Sequence, residues 1–134
     1  MRIKIIVSIV CVVLVVCLGF GGKYLFDTMS YRKIVSEAVI ATPDLTRVQD
    51  GAYTGAFEAI LVSAIVEVTV EDSIITKIVI REHVTDRGKP AESIIEDVII
   101  NQTLDVDTVT GATNSSTVIL KAIENALMGG IAAH

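Results

Sequence analysis

The sequence predicts an α+β fold: a small antiparallel sheet packed by two helices, preceded by an N-terminal transmembrane signal anchor. Three observations carry that reading. An uncharged apolar run, Ile5 to Gly22, occupies the start of the chain. In the middle, Val62–Glu71 and Ile74–Glu82 alternate apolar and polar residues at the period of a strand. Later, Ile94, Ile95, Val98 and Ile99, and then Val118 to Leu127, repeat apolar residues at the spacing of a helix face. With 134 residues the chain has room for one globular domain.

The apolar run is eighteen residues long and follows Arg2 and Lys4, which reaches the lower end of a membrane span. A basic start before an apolar segment is also the form of a secretory signal. No small-x-small cleavage site stands out before Lys23, so the reading is an uncleaved anchor over residues 1–26. Lys23, Arg32 and Lys33 nearly balance Arg2 and Lys4 across the run. The short tail before a long domain favours tail in, domain out: a single pass of the cytoplasmic membrane with an extracytoplasmic domain.

Residues 27–49 read as a juxtamembrane helix and linker. Asp27 or Thr28 is placed to cap a helix from Met29 to Ile40, with Pro43 at its exit. The domain is expected over residues 50–134. Asp50-Gly51 opens it with a turn, and Ala52 to Glu58 forms a first strand. In the second strand Ala64, Val66, Val68 and Val70 share one face. Asp72-Ser73 then turns into the third strand as an antiparallel hairpin, without the glycine that suits such a turn best. Pro90 or Ala91 starts the first packing helix, which runs to about Thr103. The second is expected from Thr117 to Met128 and ends at Gly129-Gly130.

Composition excludes several functions. Of 11 basic residues, nine remain outside the tail against 16 acidic ones, a net charge of −7. No basic patch interleaved with aromatic residues is present, so nucleic acid is not an expected partner. Cys11 and Cys17 both lie inside the apolar run, which leaves the domain without disulfides or thiolate ligands. His83 and His134 are far apart and lack the acidic spacing of a zinc site, and no metal is expected.

The stretch Asp107 to Ser116, DTVTGATNSS, stands out as small, hydroxylated and acidic in a chain rich in Ile and Val. It reads as a turn feeding a helix. Free N–H groups at a helix start, with the positive end of its dipole, make an anion site. The plain alternative is an ordinary cap by Thr113, Asn114 or Ser115.

The order of features adds weight. Asp50-Gly51-Ala52-Tyr53-Thr54-Gly55 precedes an alternating hairpin, and Asp107, Thr110, Gly111, Ala112, Thr113, Ser115 and Ser116 meet the pattern D-x-x-[ST]-G-A-T-x-[ST]-[ST]. Lys121 to Leu127 follows. This combination, from Asp50 to Met128, resembles the FMN-binding domain family. That family includes flavin-carrying subunits of membrane reductases and small exported FMN-binding proteins. The resemblance implies FMN joined covalently, by a phosphoester bond, to the hydroxyl of Thr113. It also implies a separate Mg-dependent flavin transferase that takes the FMN from FAD. Asp107, Thr110, Gly111, Ala112, Ser115 and Ser116 are implied as the cofactor-binding motif, with Asp107 bracing the turn or acting as a plain Asx-turn residue.

One departure is visible. Larger members carry E-T-P-G-x-G after the hairpin, whereas this chain has His83 to Lys89, HVTDRGK, similar to the small exported members. Arg87 and Lys89 are candidates to pair with phosphate or reduced flavin, with His83 and Tyr53 as further candidates to meet the ring. The plain readings are a solvated loop and a core or edge-strand tyrosine. No nucleophile–base pair is evident, so the expected role is an electron relay and not a stand-alone enzyme. Its expected partners are the membrane, the flavin transferase and a membrane reductase or other redox protein. The alternatives are a cofactor-free interaction module and a non-covalent FMN sensor.

Overall fold

The computed structural model describes residues 1–131; His134 lies outside the described residues. Its first element is a single helix, α1 (Arg2–Glu37). It crosses the expected division at residue 26, and no second helix is capped at Asp27 or Thr28. The hydroxyl of Thr28 instead donates to the carbonyl of Tyr24, one turn back inside the helix, at 2.8 Å. The physical reason is that Gly19, Gly21 and Gly22 each cost only about 1 kcal/mol in a helix and no proline interrupts the run. At the α-helical rise, 36 residues span about 54 Å. The helix is long and apolar enough to cross a membrane, and its apolar window is not buried against the domain.

Among the described residues the end of α1 meets the domain through Val35, which is buried in the core. The chain then leaves the helix, and Lys121 Nζ donates to the carbonyl of Val39 at 3.1 Å. Thr42 Oγ1 accepts from the backbone N–H of Leu104 at 2.9 Å, tying the linker to the far side of the domain. Asp44 caps a short turn, Leu45–Arg47. Hydrogen bonds from the Thr46 hydroxyl and N–H hold the Asp44 carboxyl below its usual range.

The sheet consists of β1 (Gly51–Ala59), β2 (Val62–Glu71) and β3 (Ile74–Val84), antiparallel in the order β1-β2-β3. Alternation along β2 is strict: Val62, Ala64, Val66, Val68 and Val70 are all buried. β3 does not alternate strictly, because two bulges leave Thr76 and Arg81 without a partner in the register. Each extra residue re-aims the strand, so Ile75, Ile78 and Ile80 all pack toward the core. The turn at Asp72-Ser73 forms without glycine. Both residues adopt left-handed φ, 51° and 63°, and Asp50 Oδ1 accepts from the N–H of Asp72 at 2.9 Å.

Two helices lie on one face of this sheet. Lys89–Ser93 is a 3-10 turn that leads into α2 (Ile94–Asn101), shorter than the helix expected from Pro90 to Thr103. Gln102 ends α2 at φ 54° and turns its side chain to the open edge of β3. Its amide accepts from Ile75 N at 2.8 Å and donates to Ile75 O at 2.9 Å, pairing backbone groups that an edge strand leaves bare. The last helix, α3 (Thr113–Gly129), lays Val118, Ile119, Ala122, Ile123, Ala126 and Leu127 on β1 and β2. It begins four residues before the expected start at Thr117.

The glycine of the opening motif explains the seat of α3. A Cβ on Gly55 would run into the backbone of Ala122 and Ala126. At the C-terminal end of the helix, Gln49 N donates to Gly130 O at 2.9 Å, and the hydroxyl of Tyr53 donates to Gln49 O at 2.9 Å. Gly55→Ala forces helix and strand apart, and we expect it to lower stability by about 3 kcal/mol or more; chemical denaturation of the full chain measures this.

Candidate functional site

The turn before α3 is built by two small residues and one serine. Gly111 takes φ 80°, a conformation that L side chains adopt at a cost of about 1–2 kcal/mol. A Cβ there would meet nothing, so this glycine is required by conformation and not by lack of space. Ser116 is fully buried; its hydroxyl donates to Ala112 O at 2.9 Å and accepts from Val109 N at 3.0 Å. Ala112 N in turn donates to Val109 O at 2.9 Å. The turn is therefore closed from within by Ser116.

A consequence for the helix start follows. Ala112 occupies the N-cap position and no side chain caps the helix. Thr113, Asn114 and Ser115 are not caps but the first helical residues. The first bond of the ladder is Ser116 N to Ala112 O, and the N–H groups of Thr113, Asn114 and Ser115 have no hydrogen-bond partner among the described residues. Three orphan donors at the positive end of a seventeen-residue helix are the groups that suit an anion. Thr113 is exposed.

These groups open onto a hollow of about 450 Å³, within the usual range for ligand sites. Its helix side consists of Gly111, Ala112, Thr113, Asn114 and Ser115. The loop after β3 supplies Thr85, Asp86, Arg87 and Gly88, and the β1–β2 turn supplies Leu61 and Val62. The loop is pinned to the helix. Thr85 Oγ1 accepts from Gly88 N at 2.8 Å and lies 3.1 Å from the buried hydroxyl of Ser115. A Cβ on Gly88 would collide with Ser115 and Thr85. Arg87 is 93% exposed, and its contact to Asp86 is a long 3.8 Å. An exposed pair of that kind is weak, so the guanidinium is available to an anion.

The hollow thus brings together Gly111, Ala112, Thr113, Ser115 and Arg87. Five other candidates lie elsewhere. Asp107 is exposed and lines a separate acidic hollow with Asp97, Asn101 and Asp105, where it braces no turn. Thr110 is exposed at the turn, outside the lining. Tyr53 sits at the opposite end of α3, a helix length of about 25 Å from Thr113, with its ring against Gly130. The His83 side chain is 2% exposed; Nδ1 is 3.1 Å from Glu92 Oε1, and Nε2 is buried without a hydrogen-bond partner. Lys89 starts the 3-10 turn and does not line the hollow. Among the described residues there is no group of three or more His, Cys, Asp or Glu side chains placed to hold a metal.

Residues 63–128 match the family model of the FMN-binding domain. They belong to the FMN-binding domain family. A search of curated proteins and a search of solved structures each gave no significant match. The match starts within β2, yet β1 is an integral strand of the same sheet. The residues present suit FMN: the free N–H groups, a free hydroxyl and a guanidinium that line the hollow are the donor set a phosphate requires. Leu61, Val62, Thr85 and Gly88 were not anticipated from the sequence as lining residues. Thr85-x-x-Gly88 carried a legible signal, a hydroxyl positioned to close a tight turn. Ser116→Ala leaves the half-buried Val109 N without an acceptor, and we expect it to destabilise the FMN-binding domain by about 1–3 kcal/mol in thermal unfolding.

Proposed function

We propose that this chain is a membrane-anchored extracytoplasmic electron carrier whose FMN is joined by a phosphoester bond to Thr113. The observation that carries the reading is the placement of the Thr113 hydroxyl. It stands at the first residue of α3, accepts and donates no hydrogen bond among the described residues, and shares its hollow with three unpaired N–H groups. Attachment forms a bond from Thr113 Oγ1 to the phosphorus that FAD carries on its riboflavin side. The pyrophosphate P–O bond breaks, AMP leaves, and the hydroxyl proton passes to the transferase or to water. The chain supplies the acceptor hydroxyl, and a separate Mg-dependent flavin transferase supplies the catalyst.

After attachment the phosphodiester keeps one negative charge. The helix N-terminus favours that charge by about 0.3–1 kcal/mol at an exposed site, and Arg87 adds a cation on the loop after β3. Bound FMN supplies the redox centre. The Thr85–Ser115–Gly88 contacts keep that loop in place, so the anion meets a preformed wall. The long apolar helix supports an anchor, and the short tail ahead of a long domain favours tail inside and domain outside. Electrons would arrive from a membrane reductase and leave to another redox protein.

Expression of the full chain with an active flavin transferase tests the attachment. We expect a fluorescent band after denaturing electrophoresis, and its complete loss in Thr113→Ala. A dark wild-type band beside active transferase contradicts covalent attachment and leaves a cofactor-free interaction module. Native fluorescence that disappears on denaturation points to non-covalent FMN.

A further inference from the structure

The lining of the hollow is of two kinds. The Thr113 hydroxyl, the free N–H groups and Arg87 are polar, and the large apolar side chains are Leu61 and Val62. Leu61 is 50% exposed and its turn neighbour Ile60 is 47% exposed. Of these two turn residues Leu61 lines the hollow and Ile60 does not.

The turn that carries Leu61 is unusual for its position. Ala59 pairs with Val62, so Ile60 and Leu61 form a two-residue hairpin loop. Such loops favour Gly, Asn or Asp at left-handed φ. The other hairpin of the sheet, Asp72-Ser73, follows that logic with polar residues and positive φ. Ile60 and Leu61 do not: both have negative φ, and both present aliphatic side chains to solvent. The polar turn is remote from the hollow, and the apolar turn forms one of its walls. Neither turn chemistry nor core packing accounts for Leu61.

We infer that Leu61 is the platform on which the isoalloxazine ring rests, given FMN attached at Thr113. FMN matches both kinds of lining: a phosphate at one end, a short ribityl chain, and a flat apolar ring at the other. Anchoring the phosphate at the helix start directs the ring to the apolar wall of that hollow. One face of the ring then covers the aliphatic turn, and the other stays open to a redox partner.

The test uses the full chain in detergent, expressed with the flavin transferase, as wild type, Leu61→Ser, Leu61→Met and the remote control Ile74→Ser. Occupancy is read from the denaturing gel; ring contact is read from flavin anisotropy and from iodide quenching of the native protein. In Leu61→Ser the gel band is retained, anisotropy falls, and quenching rises toward that of free FMN. Leu61→Met and Ile74→Ser keep wild-type values. A full gel band with unchanged anisotropy and quenching in Leu61→Ser overturns the platform and leaves the attachment standing. So does a wild-type flavin already as open to iodide as free FMN, which assigns the turn to a partner protein. A wild type without a gel band removes the attachment itself, and the platform with it.

Discussion

Everything at the site depends on how α3 is seated against β1 and β2. The helix presents Val118, Ile119, Ala122, Ile123, Ala126 and Leu127 to the buried valines of β2. It approaches β1 so closely at Gly55 that a single methyl group would touch helix backbone. That seat places the N-terminus of α3 against the start of β2 and the loop after β3. The hollow arises where these three segments meet. The helix that completes the core thus also delivers its free N–H groups to solvent at one defined place.

The two ends of α3 are specialised differently. Its C-terminal end is tied down: Gly130 accepts from Gln49, Val48 bridges Ile131, and the Tyr53 hydroxyl closes over Gln49. Its N-terminal end is held from below, by Ser116 on the turn and Ser115 on Thr85, while the upper side stays unpaired. Buried serines thus do structural work beneath a surface threonine that has none. This division separates Thr113 from the rest of its motif and leaves its hydroxyl available for chemistry.

The sheet was legible in the sequence where one physical rule acts alone. β2 alternates because one face meets the helices and the other meets water, and its bounds follow from that. β3 was less legible, since the bulges at Thr76 and Arg81 break the period of two without changing composition. The start of α3 was misplaced because Thr, Asn and Ser read as caps by local propensity. Tertiary burial of Ser115 and Ser116 overrides that preference and extends the helix to Thr113. Likewise α1 has no break at Asp27, because polarity changes there without any residue that disrupts a helix. The motif around Gly111 located one wall of the site. The opposite wall is brought to it by strand pairing: Arg87 and the Thr85-x-x-Gly88 turn were legible in the sequence, whereas the place of Leu61 and Val62 beside them was not.

Attachment is a bond between one atom of this chain, Thr113 Oγ1, and the phosphorus of FMN. Intact-mass analysis of the full chain made with the flavin transferase, followed by fragmentation, locates it. We expect a gain of one FMN less one water, carried by the fragment ion that contains Thr113 and by no neighbour. An unmodified mass, or an adduct on Thr110, Ser115 or any other residue, would contradict it.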